Sequence, residues 1–139
     1  MPRLIWDDSM AIGLYVIDEQ HKELVEIINS IHDALENGGN TTLVSRLIRR
    51  FYDYTTSHFV TEESLMDHMT YPFYFQQVRE HLDCSMKALD FHRRFAQGGF
   101  DLREFLDYIV DWFVKHTTGI DQTLLPHLLE RGLIRERAS

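Results

Sequence analysis

Apolar residues recur three and four positions apart along most of the chain, which is the spacing of one face of an α-helix. Leu24, Ile27, Ile28, Ile31 and Leu35 predict a first helix from about Asp18, a plausible N-cap, to about Asn37. Gly38-Gly39-Asn40 ends it. A second helix is predicted over 41–69, with Leu43, Leu47, Ile48, Phe51, Tyr54, His58, Leu65 and Met66 on its inner side. Tyr71-Pro72 breaks that helix, and the proline suits the first turn of a third helix continuing to about Phe95. Gly98-Gly99 breaks the third. A fourth starts near Asp101 and carries Phe105, Leu106, Ile109, Trp112, Phe113 and His116, with Pro126 expected to kink or interrupt it. No strand pattern, repeat or low-complexity segment accompanies these helices.

Four helices of about 20 residues, each roughly 30 Å long at 1.5 Å per residue, with short connections, imply an all-α fold: an up-down-up-down four-helix bundle. One domain over 1–139 is expected. Residues 1–17 form an irregular arm anchored by Leu4, Ile5, Trp6, Ile12 and Val16; 18–121 form the bundle; 122–139 form a C-terminal helical extension or connector with a weak apolar pattern.

The composition narrows the function. At 139 residues the chain is long enough for a proper core, and its 44% hydrophobic and 26% charged content is that of a globular protein. A net charge of −8 argues against nucleic acid or an anionic membrane surface as partner. The single cysteine, Cys84, has no internal disulfide partner and reads as an inert helix residue in a reducing compartment. The N-terminus lacks the basic start and long apolar run of a signal peptide, and no stretch approaches the roughly 20 apolar residues of a membrane span. The expected location is cytoplasmic.

Metal-type side chains punctuate the same helices: His21, His58 with Glu62, His81, and His116 with Asp121. His58 and Glu62 are four apart and share one helical face, as do Gln77 and His81. Antiparallel packing brings all of them to a common level of the core, where bundles build metal sites. His116 and Asp121 are five apart, so a π-type widening or a long carboxylate reach is expected there. Imidazole suits divalent iron, zinc, copper and nickel, and two carboxylates able to bridge suggest a dinuclear site. Burying so many imidazoles and carboxylates without metal would cost several kcal/mol of hydration per unpaired charge. His32, His68, His92 and His127 fall off this pattern and are expected to be mostly solvated, and Glu63 is expected to be solvated or to support a ligand.

These residues, in this order and at these separations, resemble the hemerythrin family, in its bacterial single-domain or sensor-fused branch. The resemblance runs from about Trp6 to Leu124. It rests on Ile17-Asp18-Glu19-Gln20-His21, His58-Phe59-x-x-Glu62-Glu63-x-Leu65-Met66, Tyr71-Pro72, His81, and Trp112-Phe113-x-x-His116-x-x-x-x-Asp121. It implies two iron ions in an oxo- or hydroxo-bridged non-haem centre that binds O2 reversibly. It also implies that His21 and His58 hold the iron with the open position, that Gln77, His81 and His116 hold the other, and that Glu62 and Asp121 bridge. Phe113 and Thr117 would line the O2 pocket.

Two positions depart from the family pattern. Gln77 stands where the family has histidine, and an amide oxygen is a weaker ligand for iron than imidazole. Thr117 stands where isoleucine is usual, and its hydroxyl makes the pocket more polar. The missing imidazole favours oxidation over stable oxygen storage, and both changes make the pocket more polar. Together with the charged tail Arg131-Gly132-Leu133-Ile134-Arg135-Glu136-Arg137, which reads as the start of a connector to a C-terminal output domain, they favour an oxygen or redox sensor module. A stand-alone oxygen carrier and a peroxidase-like or oxidase-like di-iron enzyme are the alternatives.

Overall fold

Asp18 does not cap the first helix. The helix begins one turn earlier, and the Asp18 carboxylate instead accepts the backbone N–H groups of Ile12 (2.8 Å) and Gly13 (3.1 Å), tying the arm to the helix. In the computed structural model, which describes residues 4–38, 40–67, 69–98, 101–119 and 123–133, α1 spans Tyr15–Glu36, α2 Thr41–Leu65, α3 Tyr74–Ala96, α4 Leu102–Gly119 and a short α5 Leu125–Glu130. The architecture is the expected all-helical bundle. A 3-10 turn at Asp8–Met10 is the only regular piece of the described arm.

The core follows the periodicity. Ile17, Leu24, Ile27, Ile28 and Ile31 of α1, Ile48 and Phe51 of α2, Cys84 and Ala88 of α3, and Phe105, Leu106 and Ile109 of α4 are buried. Of the expected arm anchors, Ile12 is buried and Leu4 and Trp6 pack on the core, whereas Ile5 and Val16 are exposed. A polar anchor does what those two do not. Asn29 accepts the Leu4 N–H and donates to the Leu4 carbonyl, both at 2.8 Å.

Helix ends obey local chemistry. Gly38 takes a φ of +62°, available to glycine at little cost, and Asn40 caps α2 by accepting the Leu43 N–H at 2.8 Å. α2 stops at Leu65 rather than Met69, because Met66 turns to extended backbone and buries its side chain beneath α5. Pro72 lies before α3, not in its first turn. Pro126 sits in the first turn of α5, where its missing N–H costs nothing. Leu124 and Leu128 then close a second small core with Ile12, Ile17, Met66 and Tyr71.

The four seams of the bundle are unequal. α1–α2 and α2–α3 pack extensively, and α3 and α4 touch least.

Candidate metal centre

Four helices each send a histidine into one buried place. His21 from α1, His58 and Glu62 from α2, His81 from α3 and His116 from α4 are all at most 9% exposed. The sequence reason is one of register. His21 and Ile17, Leu24, Ile28 share one stripe of α1, and His58 continues the Phe51 and Thr55 stripe of α2, so the core faces carry them inward.

Glu62 is the hub. Its Oε1 accepts from His116 Nε2 at 2.7 Å, meets His58 Nε2 in a short contact, and lies 4.0 Å from His21 Nε2. Its Oε2 points the other way, 3.7 Å from His81 Nε2. The Nε2 atoms of His21 and His58 face each other at 3.1 Å, and those of His58 and His116 at 3.4 Å. Donor atoms of His21, His58, Glu62 and His116 all fall within 4.8 Å of one another, a set that can hold a metal ion.

The outer ring atoms explain why these lone pairs face inward. His58 Nδ1 is 2.7 Å from Gln20 Oε1, and His81 Nδ1 is 3.0 Å from Glu63 Oε2. An acceptor on Nδ1 places the proton there and leaves Nε2 free as a ligand. Gln20 is itself oriented by donating to Thr61 Oγ1 at 3.2 Å. His81 lies flat on Phe59, ring centroids 4.1 Å apart and 6° between planes, and His116 lies on Trp112 at 4.9 Å and 13°. Gln20, Phe59 and Trp112 were not legible as site residues. Gln20 and Phe59 adjoin ligand-type residues and Trp112 lies one turn from His116, but the partner each one holds sits across or along the bundle.

Burial sets the charges. It pushes His21 well below the ordinary imidazole value, and the nearby His58 and His116 push in the same direction. His81 is also lowered by burial, with Glu62 and Glu63 opposing. Burial alone would raise Glu62, but His116 and His58 outweigh it and hold the carboxylate ionised. The arrangement fits a cation for a second reason. Glu62 Oε2 and His81 Nε2 are both buried without a hydrogen-bond partner, and burying two acceptors face to face is costly unless something positive lies between them.

The other expected residues fall as follows. Gln77 is buried on α3, and its Nε2 donates to Thr123 Oγ1 at 3.5 Å. Asp121 lies outside the described residues. The widening expected between it and His116 falls partly on 120–122, also outside them, and residues 123–124 just beyond are π-helical. Phe113 is buried with its ring 6.0 Å from that of His21, edge-on at 85°. Thr117 is buried, but its hydroxyl donates to the Phe113 and Val114 carbonyls, each at 3.1 Å, which leaves only lone pairs for the pocket. Cys84 is buried and its thiol is pushed up to about 12 by that burial, so it is inert. The three described histidines off the pattern are less solvated than expected. His127 is buried and accepts the Asp67 N–H at 3.1 Å, His32 and His92 are half-buried, and His68 lies outside the described residues.

A four-helix bundle with a histidine-rich, carboxylate-bridgeable core cluster defines a metal-binding bundle of the histidine-rich type. Residues 12–128 match the family described as "Hemerythrin HHE cation binding domain". The chain is 35% identical over 123 residues to a bacteriohemerythrin of Stenotrophomonas maltophilia, covering 88% of this chain and 79% of that one. It is 34% identical over 122 residues to a bacteriohemerythrin of Pseudomonas aeruginosa, covering 87% and 78%. Its fold superposes on a solved structure of wild-type hemerythrin with a TM-score of 0.81 at 23% identity, covering 90% of this chain and 97% of that one. The chain belongs to the hemerythrin family, whose members carry a di-iron centre and bind O2.

Proposed function

We propose that this chain is a single hemerythrin-like domain, 1–139, that binds O2 at a di-iron centre and serves as an oxygen or redox sensor input module. The ligands in this reading are His21, His58, Glu62, His81, His116 and Asp121, with Gln77 at the place of a seventh, which its amide or a water would fill, and with Phe113 and Thr117 lining the pocket. Bound iron would supply the electrons that pass to O2. The residues hold the metal, exclude water and keep one carboxylate ionised at the centre of the core.

The observation that carries the reading is the reach of Glu62. One side chain contacts donors from α1, α2, α3 and α4. A change of charge at that carboxylate is therefore felt on every seam of the bundle, and the loosely packed α3–α4 seam is the one with room to respond. A C-terminal output domain is the partner this reading expects.

The test is anaerobic loading with Fe(II), addition of O2, and the visible spectrum followed over minutes. The sensor reading expects a charge-transfer band that decays to an oxidised spectrum within minutes, and a longer-lived band in Gln77→His. A band in the native protein as persistent as that of the variant would support a carrier instead. Sustained hydrogen peroxide turnover with an added reductant would support an enzyme.

A further inference from the structure

The two sides of Glu62 are unlike. On the Oε1 side three imidazole nitrogens converge. On the Oε2 side the described residues offer His81 Nε2, and the amide nitrogen of Gln77 donates to Thr123 Oγ1. That side also adjoins a cleft. A cleft of about 390 Å³ runs between α3 and α4, with Gln77, His116 and Thr123 at its inner end and Glu80, Asp111 and Lys115 among its outer residues.

A buried hydroxyl also stands beside that inner end. Tyr71 is 4% exposed, its side chain interacts with that of Thr123, and its Oη has no well-formed hydrogen bond. Thr123 Oγ1 is itself committed, donating to the Gly119 carbonyl at 2.7 Å and accepting from Gln77. The phenol is thus buried beside Thr123, which lines the cleft next to Gln77.

Resting on the di-iron reading above, we infer that the Gln77 side of the centre is a second exogenous-ligand position, entered through the α3–α4 cleft and supported by the hydroxyls of Tyr71 and Thr123. The cleft selects the ligand class. Lys115 is paired with Asp111 at 2.9 Å, which leaves Glu80 and Asp83 to repel anions at the entrance. Small neutral molecules pass: water in the resting state, and hydrogen peroxide or a diatomic gas in competition with it. Gln77 acts here as a positioning residue, because an amide directed at Thr123 leaves the coordination position that an imidazole would fill.

Nitric oxide is a suitable neutral probe. Iron is counted first in the anaerobic Fe(II)-loaded protein, and nitric oxide bound is then measured by titration, with the nitrosyl stretches read by infrared spectroscopy. The expected result is two irons and two nitric oxide molecules per chain, with two distinguishable stretches. Gln77→His should retain two irons and bind one nitric oxide. Tyr71→Phe should weaken one of the two by about 3–10-fold, the scale of one lost hydrogen bond, and shift only one stretch. Two irons with a single nitric oxide in the native protein would overturn the second position and leave the di-iron reading intact. Fewer than two irons would overturn both. If Tyr71→Phe does not fold, Thr123→Val examines the same position, and an unchanged pair of stretches in that variant would remove the hydroxyls from the proposal.

Discussion

At the scale of single residues, Glu62 is the most exposed to failure. It is fully buried and ionised, and it is held so by His116 and His58. Glu62→Ala deletes both oxygens of the hub, and iron bound should fall below two per chain. Retention of two irons, measured by metal analysis after gel filtration, would contradict its bridging role. Gln20 and Glu63 act one step further out, by fixing the tautomers of His58 and His81. Losing such an outer partner commonly weakens metal binding by about 10–100-fold. Glu63→Ala should do so in a competition titration against a chelator, with little change in the helical circular dichroism. Gln20 and Glu63 differ in how legible they were. Glu63 adjoins a ligand and invited a supporting role, whereas Gln20 gives no sign of its contact with residue 58 until α1 and α2 are side by side.

Among the elements, α5 is the one whose role depends on the whole bundle. It is six residues long, far too short to be stable alone. Its stability comes from Leu124 and Leu128, buried against Ile12, Ile17, Met66 and Tyr71. His127 adds a hydrogen bond from Asp67 and packs on Tyr71 at 4.6 Å. The same contacts hold Tyr71 beside Thr123, so α5 supports the Gln77 side of the centre. Leu128→Ala should cost about 2–5 kcal/mol, as buried leucine truncations do, seen as a lower denaturant midpoint with an unchanged slope. A cost under about 0.5 kcal/mol, the size of an ordinary surface substitution, would show that α5 does not contribute to the fold.

For the molecule as a whole, the buried cluster sets the response to acid. His21 and His81 have lowered pKa values when folded, so below the ordinary 6.5 the unfolded chain takes up protons that the folded chain refuses. Glu62 is lowered as well, so below its ordinary 4.5 the unfolded carboxyl gains a proton while the folded one stays ionised. Both effects have the same sign. Their stability is present at neutral pH and lost as pH falls through the folded values. The melting temperature of the metal-free protein should therefore drop as pH is lowered from 7.5 past 6.5, and drop further below 4.5. A melting temperature that is flat or rising over that range would contradict the charge states assigned here.

The spacing of apolar residues was enough to read the four long helices, and the spacing of His21, His58, Glu62, His81 and His116 was enough to read which side chains belong together. Both follow from the fixed 3.6-residue period of a helix, which puts every inward position in step with its neighbours. The sequence did not reveal where α2 stops, that Asp18 and Asn29 hold the arm, that His127 is buried, or that the Thr117 hydroxyl is turned to its own helix. Each of these depends on a partner that is remote along the chain or on a rotamer chosen by packing. The same holds for the asymmetry of the centre. That Gln77 replaces an imidazole is plain in the sequence. That its amide nitrogen reaches Thr123 at the α3–α4 seam, while one Glu62 oxygen faces His81, was decided only when four unequal helix contacts closed around the core.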